Sequence, residues 1–176
     1  GSIKSADSLT VNPSVSSKSG NIAIGSATTA TGSETTAMGI NSDATGEFSI
    51  AVGRNANATG YMATAFGNES TASGGGYPFG SLAIGSLANA SFQGAIAIGN
   101  GNASAANAII IGKGSNANAT GAVALGAGVT AAIADTVSVK QLELQTVGGG
   151  IIMKSPNGTA YKLTVSDAGA PVFTAV

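Results

Sequence analysis

The chain contains no cysteine and no histidine. The first absence removes disulfides and thiolate chemistry and is compatible with any compartment. The second removes the commonest general base and the commonest metal ligand. Charge is scarce too: charged residues are 9% of the 176, and the formal net charge is −1. Such a surface has to be satisfied by Asn, Ser, Thr and backbone groups. Between Asn21 and Ala134 the only cations are Arg54 and Lys113, so the basic stripe that nucleic acid demands is missing. No run approaches the roughly eighteen apolar residues of a membrane span. No signal peptide is visible, and Gly1-Ser2 has the look of a cloning remnant, so a natural N-terminus is expected to be missing. We expect no cofactor, no nucleic-acid partner and no membrane insertion by this chain.

Glycine, by contrast, is abundant and periodic. Near-copies of Ala95-Ile-Ala-Ile-Gly99 end at Gly25, Gly39, Gly53, Gly67, Gly85, Gly99, Gly112 and Gly126, at intervals of 14, 14, 14, 18, 14, 13 and 14 residues. A period held this tightly signals a solenoid. Counted back from each turn glycine, position −1 is Ile24, Met38, Val52, Phe66, Ile84, Ile98, Ile111 or Leu125. Position −3 is Ile22, Thr36, Ile50, Thr64, Leu82, Ile96, Ile109 or Val123, and the residue between is Ala except at Ile110. Large apolar residues at i and i+2 around a small one make a strand with one buried face, so these large residues are the expected core of the repeat. Ala30-Thr-Gly32, Ala44-Thr-Gly46, Ala58-Thr-Gly60 and Ala119-Thr-Gly121 mark a second, weaker strand. One coil is then two short strands and two turns, with Gly or Asn where φ must be positive.

Coils stacked at ~4.8 Å make a rod of roughly 40 Å. About two large apolar side chains per coil, at ~1.5–3 kcal/mol each, stand against ~1–2 kcal/mol of backbone entropy for each ordered residue. Ladder hydrogen bonds and Ala burial offset part of the gap. A roll two strands thick still leaves one sheet face uncovered, which predicts self-association through an outer apolar face.

Asn21-Ile-Ala-Ile-Gly25, Ser49-Ile-Ala-Val-Gly53 and Ala122-Val-Ala-Leu-Gly126 resemble the head repeat of YadA-type trimeric autotransporter adhesins, and Ala134-Asp-Thr-Val-Ser-Val139 resembles their neck. The resemblance spans residues 21–139. It implies an all-β, left-handed parallel β-roll, a homotrimer, and a non-enzymatic adhesive role outside the cell. Lys140 departs from the pattern, where Gly is usual.

Beyond the neck such adhesins continue into heptads, and this chain does not. Gln141-Leu-Glu-Leu-Gln-Thr-Val147 alternates with period 2, and Gly148-Gly-Gly150 follows. Ile151-Ile-Met-Lys154 and Ala160–Val165 read as strands around Ser155-Pro-Asn-Gly158, a type I turn by its Pro and Gly positions. Asp167-Ala-Gly169 turns into Val172-Phe-Thr174. This β-meander resembles the terminal segments of some phage tail-fibre proteins. With Val176 taken as the natural end, the chain would lack an anchor of its own. The expected organisation is a lead-in at 1–20 with a short strand at Leu9-Thr-Val11, a roll at 21–134, a neck-like segment at 135–147 and a meander at 148–176.

Several motifs have plainer readings. Gly121-Ala-Val-Ala-Leu-Gly126 spaces its glycines like a P-loop but lacks the Lys-Ser/Thr that grips phosphate. Six Asn-X-Ser/Thr sequons, at Asn57, Asn68, Asn89, Asn102, Asn118 and Asn157, follow largely from the repeat's Asn-Ala-Ser/Thr turns. Glu34 and Glu47 sit on neighbouring coils, yet no repeated aromatic platform accompanies them as a glycosidase would need. The carboxylates are too sparse for a cation cage. Thr31, Thr45 and Thr59 form one file, whereas ice-binding solenoids present two.

The aromatics are the strongest lead. Phe48, Tyr61, Tyr77, Phe79 and Phe92 all precede a turn glycine by five to eight residues, placing them on one edge of the roll. The interval of 18 contains an insertion within Gly74-Gly-Gly-Tyr-Pro-Phe-Gly80, and insertions in repeat proteins map to loops, often on the binding face. These five residues are the expected ligand contacts, for a cell-surface glycan or protein receptor. The plainer reading is that Phe48 and Phe92 plug gaps between chains. The sequence thus predicts a trimeric, non-catalytic attachment module: the distal part of a phage or phage-like tail fibre, or else the head of a bacterial surface adhesin, or a structural spacer.

Overall fold

The computed structural model describes residues 20–144 and 149–176. The expected strand at Leu9–Val11 and the end of the neck-like segment at 145–147 lie outside the described residues. The described chain falls into two compact units, divided in sequence between Lys140 and Gln141.

The first unit is a parallel β-solenoid of about eight coils. Nine three-residue strands form one sheet: Ile22–Ile24 (β1), Thr36–Met38 (β3), Ile50–Val52 (β5), Thr64–Phe66 (β7), Leu82–Ile84 (β9), Ile96–Ile98 (β11), Ile109–Ile111 (β13), Val123–Leu125 (β15) and Val137–Val139 (β17). Eight two-residue strands, from Thr29–Ala30 (β2) to Thr130–Ala131 (β16), form the other. Every neighbouring pair is parallel and in register, so equivalent positions stack in files, as in Leu82↔Ile96↔Ile109↔Val123. The irregular intervals do not disturb this: Thr64 still faces Leu82 across the 18-residue interval. The neck-like Val137–Val139 is simply one more rung, paired with Val123–Leu125. Gln141–Leu144 forms no strand despite its period-2 alternation.

The interior of this unit corrects one expectation. Its core is made of alanines at position −2, such as Ala37, Ala51, Ala65, Ala83 and Ala97, facing the second-sheet alanines Ala44, Ala58, Ala72 and Ala90. The large residues at −1 and −3 point the other way. Ile22 is 42% exposed, Phe66 54% and Ile111 47%, while Ile24, Val52, Leu82, Ile96, Ile109, Val123 and Leu125 are only partly covered. Ile50, Ile84 and Ile98 are likewise exposed. Within one chain, then, the residues expected as the repeat core form an outer apolar face. Strands of two and three residues joined by short turns bring the sheets so close that most interior positions hold only a methyl or hydroxymethyl group. Buried Ser49 and Ser70 fit because their hydroxyls donate to Gly46 O at 2.7 Å and Gly67 O at 3.0 Å.

Ile110 is the one large residue in the inner −2 file, and it is fully buried. Its room comes from Gly101, where an added Cβ would lie 2.3 Å from Ile110 Cδ1. Large against small keeps the local volume constant. Ile110→Ala is expected to leave a cavity and cost about 2–5 kcal/mol, measured as a fall in the urea midpoint. Gly101→Ala should destabilise for the opposite reason.

The second unit is a three-stranded antiparallel sheet, Ile151–Lys154 (β18), Ala160–Val165 (β19) and Pro171–Ala175 (β20), in that order. Its first turn is closed by Gly158 N donating to Ser155 O at 2.8 Å, and its second by Gly169 N donating to Ser166 O at 2.8 Å. Asn157 Oδ1 accepts from Thr159 N at 3.1 Å, which explains Asn in that turn.

Candidate functional site

The turn that leads from the second sheet back to the first carries the expected aromatics. Its backbone is held coil to coil: Phe48 N donates to Ser33 O and Met62 N to Glu47 O, both at 2.8 Å. The residue at this point of the turn is left-handed at Glu34, Phe48, Met62, Gly94, Asn107, Gly121 and Asp135, the coil with the insertion excepted. Gly, Asn and Asp tolerate that conformation; Phe48 at φ 58° and Met62 at φ 53° do so at roughly 1–2 kcal/mol each. Both side chains are nonetheless exposed, so burial does not repay that strain within the chain.

Phe48 and Tyr61 meet edge to face with centroids 5.6 Å apart, and Tyr61 and Tyr77 lie 6.1 Å apart at 59°. Three of the five expected contacts therefore form one continuous cluster running across three coils. Tyr77 tops it and is 82% exposed. Its loop is tied to the next coil by Gln93, whose Nε2 donates to Gly76 O at 3.1 Å and to Tyr77 O at 3.4 Å. Phe79 N donates to Gly76 O at 2.9 Å, and the Tyr77–Pro78 peptide is cis. The glycines let the loop lie flat: a Cβ on Gly75 would stand 2.3 Å from Tyr61 N.

The structure separates the other two aromatics from this cluster. Phe79 turns to the far side of the loop, where with Met62, Pro78, Leu82 and Ile96 it lines a shallow apolar groove. Leu82 and Ile96 belong to the outer face of the first sheet, so Phe79 rims that face. Phe92 is exposed and joins no ring pair among the described residues. Met62 was not singled out by its sequence position. The available signal was a bulky residue where later coils use Gly94, Asn107 and Gly121.

The remaining motifs settle as structure. Gly25, Gly39, Gly53, Gly67, Gly85, Gly99, Gly112 and Gly126 all have positive φ at the end of a first-sheet strand. Thr31, Thr45 and Thr59 are exposed beyond the second-sheet strands. Among the sequons, Asn57, Asn89 and Asn102 lie in strands with their Oδ1 atoms buried, while Asn68, Asn118 and Asn157 are exposed. Arg54 Nη2 sits 2.9 Å from Glu69 Oε1 in a solvent-facing ion pair, which contributes little to stability. Among the described residues, no three His, Cys, Asp or Glu side chains gather where they could hold a metal ion.

Thin two-strand coils, an alanine interior and an apolar outer sheet define a repeat β-solenoid. The model of the YadA head domain repeat matches residues 22–42, 30–56, 58–76 and 79–102, and over that stretch the array is similar to the head of YadA. The coils beyond residue 102 continue the same two ladders in register. No curated protein matches the chain.

Proposed function

We propose that this chain is a non-catalytic attachment module that works as a homotrimer at a cell or particle surface. The observation that carries attachment is the Phe48–Tyr61–Tyr77 cluster, in which exposed Phe48 and Tyr77 flank a half-buried Tyr61 and the top ring sits on a pinned insertion. Aromatic rings supply large, rigid contact area to sugars and to apolar protein patches alike. The nine-stranded apolar face supports the trimer, since a monomer would leave it in water. Three copies would present three such clusters, and multivalency turns weak contacts into firm attachment. The partner class is a cell-surface glycan or protein receptor. Within the class, the C-terminal sheet, found where an adhesin stalk would have heptads, favours a tail-fibre setting. The YadA-like head favours the surface-adhesin setting.

The test is binding of labelled protein to whole bacterial cells and, in parallel, to immobilised matrix proteins. Strain-selective saturable binding would mark a fibre that reads a host surface; matrix binding alone would mark an adhesin head. Tyr77→Ala is expected to weaken the productive interaction at least tenfold, on the order of a hot-spot loss. Mass and melting should not move, because the ring is largely in solvent. Unchanged binding would leave the spacer reading in place.

A further inference from the structure

The C-terminal sheet has one apolar face. Strand register places Ile151, Leu163 and Phe173 side by side, and Met153 beside Tyr161, all on the side that also carries Val165. Both lysines of the sheet, Lys154 and Lys162, fall on the other side with Thr164 and Thr174. Phe173 is 63% exposed and Val165 70%. Nothing within the sheet can cover this face, and covering it would remove a contiguous apolar surface from water.

We propose that this face is a self-association surface: the C-terminal sheets of three copies close on one another and clamp the chains at this end of the assembly. The occupant's own face must be uncharged and apolar, which the same face on a second copy is. Size decides between a copy and a foreign partner. Three strands at ~4.8 Å spacing and four to six residues long present at most about 300 Å². A pair of such faces buries about 600 Å², half or less of the ~1,200 Å² that a freely diffusing partner needs. Copies of this chain face no such threshold. The eleven residues between Val139 and Ile151 span at most about 40 Å. Sheets leashed to one trimeric rod therefore meet at high effective concentration, without a second loss of translational freedom. The proposal rests on the trimer reading for its stoichiometry, but not for its face.

The chain has no cysteine, so single labels can be placed in the full-length protein. A spin label at Val165→Cys, on the apolar face, is expected to give interspin distances within about 20 Å, since packed sheet faces lie about 10 Å apart. A label at Thr174→Cys, on the opposite face, should give longer distances. Phe173→Ser, combined with the Thr174 label, should broaden and lengthen that distribution while sedimentation still reports the trimer mass. Long Val165 distances in a protein of trimer mass would overturn the clamp and leave the trimer reading intact, with the face then open to another partner. A monomeric mass would overturn both.

Discussion

Ile98→Asp is expected to abolish assembly. Ile98 stands mid-face in the nine-stranded sheet, stacked between Ile84 and Ile111, with its side chain directed away from the alanine interior. In an isolated chain a carboxylate there would reach water and cost little. In a homotrimer closed on that face, three carboxylates would be buried without partners, each at several kcal/mol. The summed penalty, on the order of 10 kcal/mol, is comparable with the whole stability of a typical domain. Sedimentation should show trimer for the parent protein and dissociated or unfolded chains for the variant. Thr45→Lys, exposed beyond a second-sheet strand, serves as the control and should shift stability by less than about 0.5 kcal/mol. A trimer that accepts Ile98→Asp unchanged would show that the face is not the interface.

The second large effect is expected from a single methyl group in the glycine file. An alanine Cβ at Gly53 would lie 2.3 Å from Gly67 O and 2.6 Å from Gly67 C, with φ at 136°. Both neighbours are backbone, held by ladder bonds to the coils above and below, so neither can step aside alone. Left-handed strain of ~1–3 kcal/mol adds to overpacking of ~1–3 kcal/mol. A melting point lower by about 10 °C follows for a chain of this size. Gly114→Ala is the comparison. There φ is 66° and nothing stands within 4 Å of the added carbon, so only the conformational cost of roughly 1 kcal/mol remains. Equal losses at the two sites would mean that close stacking does not constrain the file.

Much of the candidate site was legible in the chain, and the limits have physical causes. Phe48, Tyr61 and Tyr77 could be placed on one edge because a solenoid turns similar offsets from a turn glycine into neighbouring places in space. The four-residue insertion could be assigned to a loop for the same reason. That Phe79 leaves the cluster and rims the sheet face instead could not be read, since residues two apart within a tight loop are free to point to opposite sides. Met62 was missed because nothing in its own type marks it. Only the left-handed φ it shares with Asn107 shows that a large side chain is costly there.

The sequence by itself determined the period, the two strands of each coil, the turns that close them and the in-register stacking that follows from repeating them. Only the tertiary structure decided which side of each strand is inside. A strand offers both of its faces equally, and Ile-Ala-Ile says that one side is large and the other small. The turns and the strand lengths set the distance between the sheets, and that distance suits Ala and Ser, with Ile admitted at position 110 only where Gly101 makes room. The small side therefore turned inward, and the hydrophobic mass of the protein became its outer face.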